Sequence, residues 1–207
     1  MGKKISVFLI IAGIIVGCYP FFEQLFTWYW QQRLLTEWEK ETVVAEYREL
    51  EQLLPIEVEL EADQAEDVKN APIISRGKLL GFLLIDSINL KLPILSGLNS
   101  TNLKIGLAFL EKTAKFGEVG NTVLAGHRGR SYGRLLNRLN EVNLDDQIVV
   151  STPEGDYIYS VFNKVIVKPE EVDILSTSKN EKIISLITCE PIPTFTHRLI
   201  VQGKLLQ

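Results

Sequence analysis

The chain has 207 residues, 46% hydrophobic and 23% charged, with a net charge of −4. That is room for one globular domain with appendages, without repeats or low-complexity segments. Residues 1–72 hold six Lys and Arg against thirteen Asp and Glu, and residues 73–207 hold sixteen against thirteen; a second part so close to neutral, with no basic stripe, argues against binding duplex nucleic acid.

Lys3 and Lys4 precede an apolar run from Ile5 to Phe22, and Glu23, Leu25, Phe26, Trp28, Tyr29 and Trp30 follow it. The run approaches the length a helix needs to cross the hydrocarbon core, and the Trp/Tyr cluster reads as an outer interfacial belt. Residues 1–30 are therefore expected to form a single-pass membrane anchor, with the N-terminus cytoplasmic and the rest of the chain outside. Two other readings stand beside it. A cleaved signal peptide lacks a small-x-small site leading into a polar start, and a lipoprotein-type box at Ile15-Val16-Gly17-Cys18 is followed by a stretch that stays largely apolar.

From Gln31 to Leu54 the residues Leu34, Leu35, Trp38, Val43, Tyr47, Leu50 and Leu54 recur at helical steps until Pro55. This predicts a helix, either a stalk or pairing surface or, preferred here, one lying on its own domain or on the membrane surface. Pro55 to Pro72 then carry Glu57, Glu59, Glu61, Asp63, Glu66 and Asp67, an acidic tether extended by self-repulsion. Their spacing matches no EF-hand loop. Residues 31–76 thus read as a juxtamembrane helix and linker ahead of a domain at 77–207.

Strands are predicted at Leu79 to Asp86, Leu92 to Leu95, Thr122 to Gly126, Gln147 to Ser151, Tyr157 to Phe162, Lys164 to Val167, Ile183 to Thr188 and Arg198 to Leu205. Eight short strands with turn chemistry such as Pro153-Glu154-Gly155-Asp156 indicate a mainly β fold, an antiparallel barrel or sandwich. Short helices are expected at Ser100 to Gly106, Gly133 to Leu139 and Pro169 to Leu175, after cap-like residues.

Two segments are built for chemistry. Ile183 to Thr188 is an apolar strand that delivers Cys189 at its end, before a loop with Pro191 and Pro193 and a second strand carrying Arg198. Asn121 to Gly129, NTVLAGHRG, is another strand ending in a glycine-punctuated turn, and it delivers His127. A thiol reacts as thiolate, so a cation beside Cys189 would activate it. Cys18 and Cys189 lie on different sides of the expected membrane boundary and cannot bond to each other. One available cysteine and two histidines, His127 and His197, leave a zinc site short of ligands.

LAGHRG, LITCEP and an arginine nine residues after the cysteine, together with GFLLIDSINLKLPILSG at Gly81 to Gly97, resemble the sortases, the membrane-anchored cysteine transpeptidases of Gram-positive bacteria. The resemblance spans about Gly77 to Gln207. Ser185 stands where the family has threonine in its TLxTC pattern, and Asp86 where many members have proline. It implies an eight-stranded sortase-type β-barrel with the site in a groove along one side. It also implies cleavage of an LPxTG-like motif near the C-terminus of secreted proteins and transfer of the acyl group to a cell-wall amine.

On that resemblance Cys189 is the nucleophile, His127 the general acid and then base, and Arg198 the donor to the substrate carbonyl or oxyanion, with Ala125 and Thr188 lining the groove. The active form implied is thiolate with imidazolium, without a third residue orienting His127. Lys168 to Asn180 falls where sortases bind the sorting signal. Strand alternation puts Arg198 on a face with Ile200 and Gln202, and His197 on the other with Leu199 and Val201, so His197 is read as structural or loop-exposed. Arg128 and Arg130 flank the histidine within reach of substrate but are read, in preference, as solvated loop residues. No cofactor or metal is expected, with calcium dependence left open. No second apolar span follows Leu206, and no Asp-Pro-aromatic lid precedes Gly77, which favours class A or class D over class C. A cysteine protease using water as acceptor and a non-catalytic membrane-tethered adaptor remain the alternatives.

Overall fold

The computed structural model describes residues 25–36, 77–129, 133–171, 173–176 and 179–206. The eight strands are β1 (Leu79–Ile85), β2 (Leu90–Ser96), β3 (Leu107–Phe109), β4 (Gly120–Gly126), β5 (Gln147–Thr152), β6 (Gly155–Val167), β7 (Lys182–Glu190) and β8 (His197–Leu205). They close into a barrel in the order β1-β2-β3-β4-β7-β8-β6-β5. Among the described residues, closure gives every barrel strand a neighbour on both sides.

The barrel is mixed, which corrects the antiparallel expectation. β2 pairs with β3, and β4 with β7, in parallel, while the other pairings are antiparallel. Parallel neighbours need a crossover. Between β2 and β3 it is α2 (Ser100–Ile105), capped by Asn99, whose side chain accepts from the Asn102 amide. The buried Asn102 side chain donates to the Ser96 and Gly97 carbonyls and accepts from the Gly77 amide, tying the helix to the start of the barrel.

Beyond shifts of strand ends, two strand assignments differ from the sequence expectation: β3 is not among the expected strands, and β6 is expected as two. β3 is three residues in a wholly buried run, too short to show alternation. β6 is one strand where two were expected: its register against β8 shifts between Val161 and Asn163. The bulge leaves Phe162 exposed, and Asn163 Nδ2 donates to Gln202 Oε1. Helical turns form at Leu136–Glu141 and Asp173–Leu175, both 3-10.

Leu83, Ile94, Leu124, Ile148, Tyr159, Ile184, Leu186, Leu199 and Val201 are among the side chains filling the barrel interior. A second apolar cluster lies outside it, where a helix over residues 25–36 (α1) packs Trp30 and Leu34 against Phe82, Leu95 and Ile105. Thr27 Oγ1 and Gln31 Nε2 donate to the carbonyls of Lys104 and Ile105. Trp30, expected in an interfacial belt, is instead buried, while Leu25, Phe26, Trp28 and Tyr29 are exposed. Part of the predicted 31–54 stripe, Leu34 with Leu35, therefore lies on the chain's own domain. Among the described residues no helix is long and apolar enough to cross a membrane. The expected span at Ile5 to Phe22, Cys18, the stripe beyond residue 36, the acidic linker and Arg130 lie outside the described residues.

Candidate active site

β7 is the central strand of the site. It runs parallel to β4 on one side and antiparallel to β8 on the other, so the ends of β4 and β7 and the start of β8 share one rim of the barrel. The β7–β8 ladder pairs Cys189 directly with Arg198, and Glu190 with His197. The β4–β7 ladder ends at Ala125 opposite Ile187, so His127 and Cys189 each lie two residues beyond that last pair.

Alternation then sorts the faces. Ile184 and Leu186 are interior, which turns Cys189 outward; Leu199 and Val201 are interior, which turns Arg198 outward with Gln202. On β4, Leu124 is interior, and Gly126 is too, since a Cβ there would meet Leu107 and Leu136. Ala125 and His127 accordingly share the outer side. His127, Cys189 and Arg198 thus converge on one face from three adjacent strands, while His197 points toward the interior rim.

Cys189 is a free, half-buried thiol. Arg198 is held by its own loop: Nη1 donates to the carbonyls of His197 at 2.9 Å and Phe195 at 3.3 Å. The peptide bonds before Pro191 and Pro193 in that loop are cis. His127 is exposed, yet desolvation, and after it the ammonium of Lys104, hold its imidazole below the ordinary histidine value. Removing that cation relieves a repulsion felt only by the imidazolium. Lys104→Gln is therefore expected to raise the titration midpoint of His127, measured from its ring protons by NMR; an unchanged or lowered midpoint would rule Lys104 out as a cause.

Among the described residues no side chain hydrogen-bonds the His127 ring, and no group of three or more His, Cys, Asp and Glu is arranged to hold a metal ion. A cavity of about 570 Å³ beside the histidine is lined by Phe26, Thr27, Lys104, Gly129, Arg134 and Leu135, with neither Cys189 nor Arg198 on its wall. Helix α1 thus contributes to the surroundings of His127, which sequence periodicity does not reveal.

Of the expected groove residues, Ala125 is half-buried on the side of His127. Thr188 is 2% exposed, and its hydroxyl donates to the Gly126 carbonyl at 2.9 Å. Ser185 is fully buried on the same outer face as Cys189, farther back along β7: its hydroxyl donates to Asn121 Oδ1 and accepts from Gln202 Nε2. Asn121 and Gln202 also donate to the carbonyls of Leu175 and Ile174, fastening part of the Lys168–Asn180 segment to the sheet. Arg128 is not a solvated loop residue. Its side chain is 6% exposed and ion-paired with Glu190.

The sortase domain family profile matches residues 83–206. Sortase A of Listeria monocytogenes is 24% identical over 203 residues, covering 98% of this chain and 90% of that protein. Sortase D of Bacillus subtilis is 26% identical over 209 residues, covering 99% and 98%. Among solved structures, Clostridium perfringens sortase C with the C-terminal cell wall sorting motif superposes with a TM-score of 0.58 at 32% identity, covering 64% of this chain and 72% of that one.

Proposed function

Because this chain belongs to the sortase family and is a cysteine transpeptidase, we propose that Cys189, His127 and Arg198 carry its reaction on an LPxTG-like sorting motif. What chiefly supports this is the register that sets Cys189 opposite Arg198 with the His127 strand end alongside.

The Cys189 thiolate attacks the carbonyl carbon of the scissile peptide bond, and the carbonyl π electrons move onto oxygen. A guanidinium has five N–H donors, and Arg198 bonds its own loop through Nη1, so the rest of the fork serves the developing oxyanion. Collapse re-forms the carbonyl and breaks the C–N bond as the His127 imidazolium gives its proton to the leaving amine. The acyl group is left as a thioester on Sγ. An incoming amine then attacks that thioester, His127 takes its proton, and the thiolate leaves. Burial and the Lys104 ammonium lower the His127 pKa, which disfavours the imidazolium that the pair requires.

Ala125 lines the groove, and Thr188 supports it by holding the Gly126 carbonyl. The chain is of class A or class D type, a reading supported by relatives of both names that match along nearly its whole length. Sortases act at the surface of Gram-positive cells; here the apolar run Ile5 to Phe22 serves as the membrane anchor ahead of helix α1, which packs on the barrel, and the acceptor is a peptidoglycan precursor or wall amine.

The experiment uses the full-length protein in detergent, peptides bearing LPxTG-like and LPxTA-like motifs, and triglycine or diaminopimelate as the amine. Mass spectrometry is expected to find peptide cut after threonine and joined to the amine, with motif preference separating class A from class D. Cleavage that yields only the free acid at saturating amine would instead make this chain a hydrolase.

A further inference from the structure

We propose that Arg128 and Glu190 form a positioning pair that holds the His127 and Cys189 strand ends in register, an inference resting on the catalytic reading of those two residues. Each follows its reactive neighbour by one position, so both turn to the opposite side of the sheet. There the Arg128 guanidinium is ion-paired with the Glu190 carboxylate, the two side chains being 6% and 16% exposed. Arg128 Nη2 also donates to Asn140 Oδ1 at 2.8 Å. His197, across from Glu190 in the β7–β8 ladder, has its Nδ1 2.9 Å from Thr196 Oγ1, and the cation against the carboxylate is Arg128.

The place of the pair gives it a task. The β4–β7 ladder stops at Ala125 and Ile187. Beyond that pair, side chains join the two segments: the Thr188 hydroxyl to the Gly126 carbonyl just before the reactive residues, and Arg128 to Glu190 just after them. His127 and Cys189 are thereby bracketed. With no side chain among the described residues hydrogen-bonded to the His127 ring, the position of the imidazole depends on the backbone beneath it, which the Leu136 amide also grips through the His127 carbonyl. Desolvated ion pairs are often no better for stability than apolar pairs of the same size, and Arg128 Nε and Nη1 and Glu190 Oε2 are buried without a hydrogen-bond partner. Geometry accounts for the pair better than stability does.

The test uses the full-length protein in the peptide and amine assay. Arg128→Met with Glu190→Leu removes both charges at once and leaves no unpaired charge buried. The expected double variant melts near the parent temperature and keeps its KM, while kcat falls about ten- to a hundredfold through displaced reacting groups. Arg128→Met or Glu190→Gln alone should lose about as much as the double, and Glu190→Asp should recover part of it. A double variant with parental kcat overturns the proposal, as do single losses that multiply in the double. If the double variant does not fold, Glu190→Gln, which keeps shape and removes only charge, decides between the same outcomes. The premise fails separately: turnover by Cys189→Ala would remove the catalytic reading whatever the pair variants do.

Discussion

Cys189→Ala is expected to abolish both peptide cleavage and amine transfer while leaving the melting temperature within a few degrees of the parent. Loss of a covalent nucleophile commonly costs on the order of a million-fold in kcat, which here means background. The stability half of the expectation follows from location. Cys189 is half-buried on the outer face of β7, whereas the interior side chains of that strand are Ile184 and Leu186. Replacing a side chain outside the core by alanine opens no sealed cavity. A structural cysteine would give the opposite pattern, reduced stability with activity kept, so steady-state rates and a thermal melt on one preparation separate the two.

Arg198→Ala is expected to lower kcat/KM by about a hundred- to a thousandfold, the usual cost of removing one donor from a developing oxyanion. Arg198→Lys should recover only a minor part, since an ammonium keeps the charge and loses the planar fork. The neighbour gives the contrast. His197 sits on the interior side of β8 with Leu199 and Val201, its ring engaged by Thr196, so His197→Ala should keep most of the activity. Rates for the three variants, measured with one fluorescent peptide, check this directly. A dead His197 variant beside an active Arg198 variant would mean that β8 presents the opposite face to substrate.

What is legible in this sequence is what is local. Cys189 and His127 announce themselves because each ends an apolar strand where a turn begins, and a two-residue period sorts Arg198 from His197 without reference to any partner. The mixed pairing is not local: nothing within Asn121 to Gly126 says that its neighbour lies some sixty residues on, in β7, and runs the same way. β3 escapes because three buried residues have no period, and β6 is split because a bulge at Phe162 looks like a turn. Trp30 misleads for a different reason. An aromatic near an apolar run fits a membrane interface and a protein core equally well, and only the cluster with Phe82 and Ile105 decides. Arg128 is the most instructive miss, because an arginine after a glycine-rich turn is ordinarily solvated; its burial depends on Glu190, sixty-two positions away.

Ser185 shows how a departure from a family pattern can be absorbed. Its hydroxyl is enclosed between Asn121 and Gln202, and the same two amides reach the Asp173–Leu175 turn. The serine thus occupies a satisfied polar junction on the Cys189 face of β7.

The most direct test of the central claim is to quench the full-length protein during turnover of an LPxTG-like peptide without added amine, and then to weigh it intact. An adduct equal in mass to the acyl fragment ending in threonine is expected, mapped to Cys189 after digestion and discharged when triglycine or diaminopimelate is added. Turnover with no adduct on Cys189, or with the adduct on another residue, would contradict that claim.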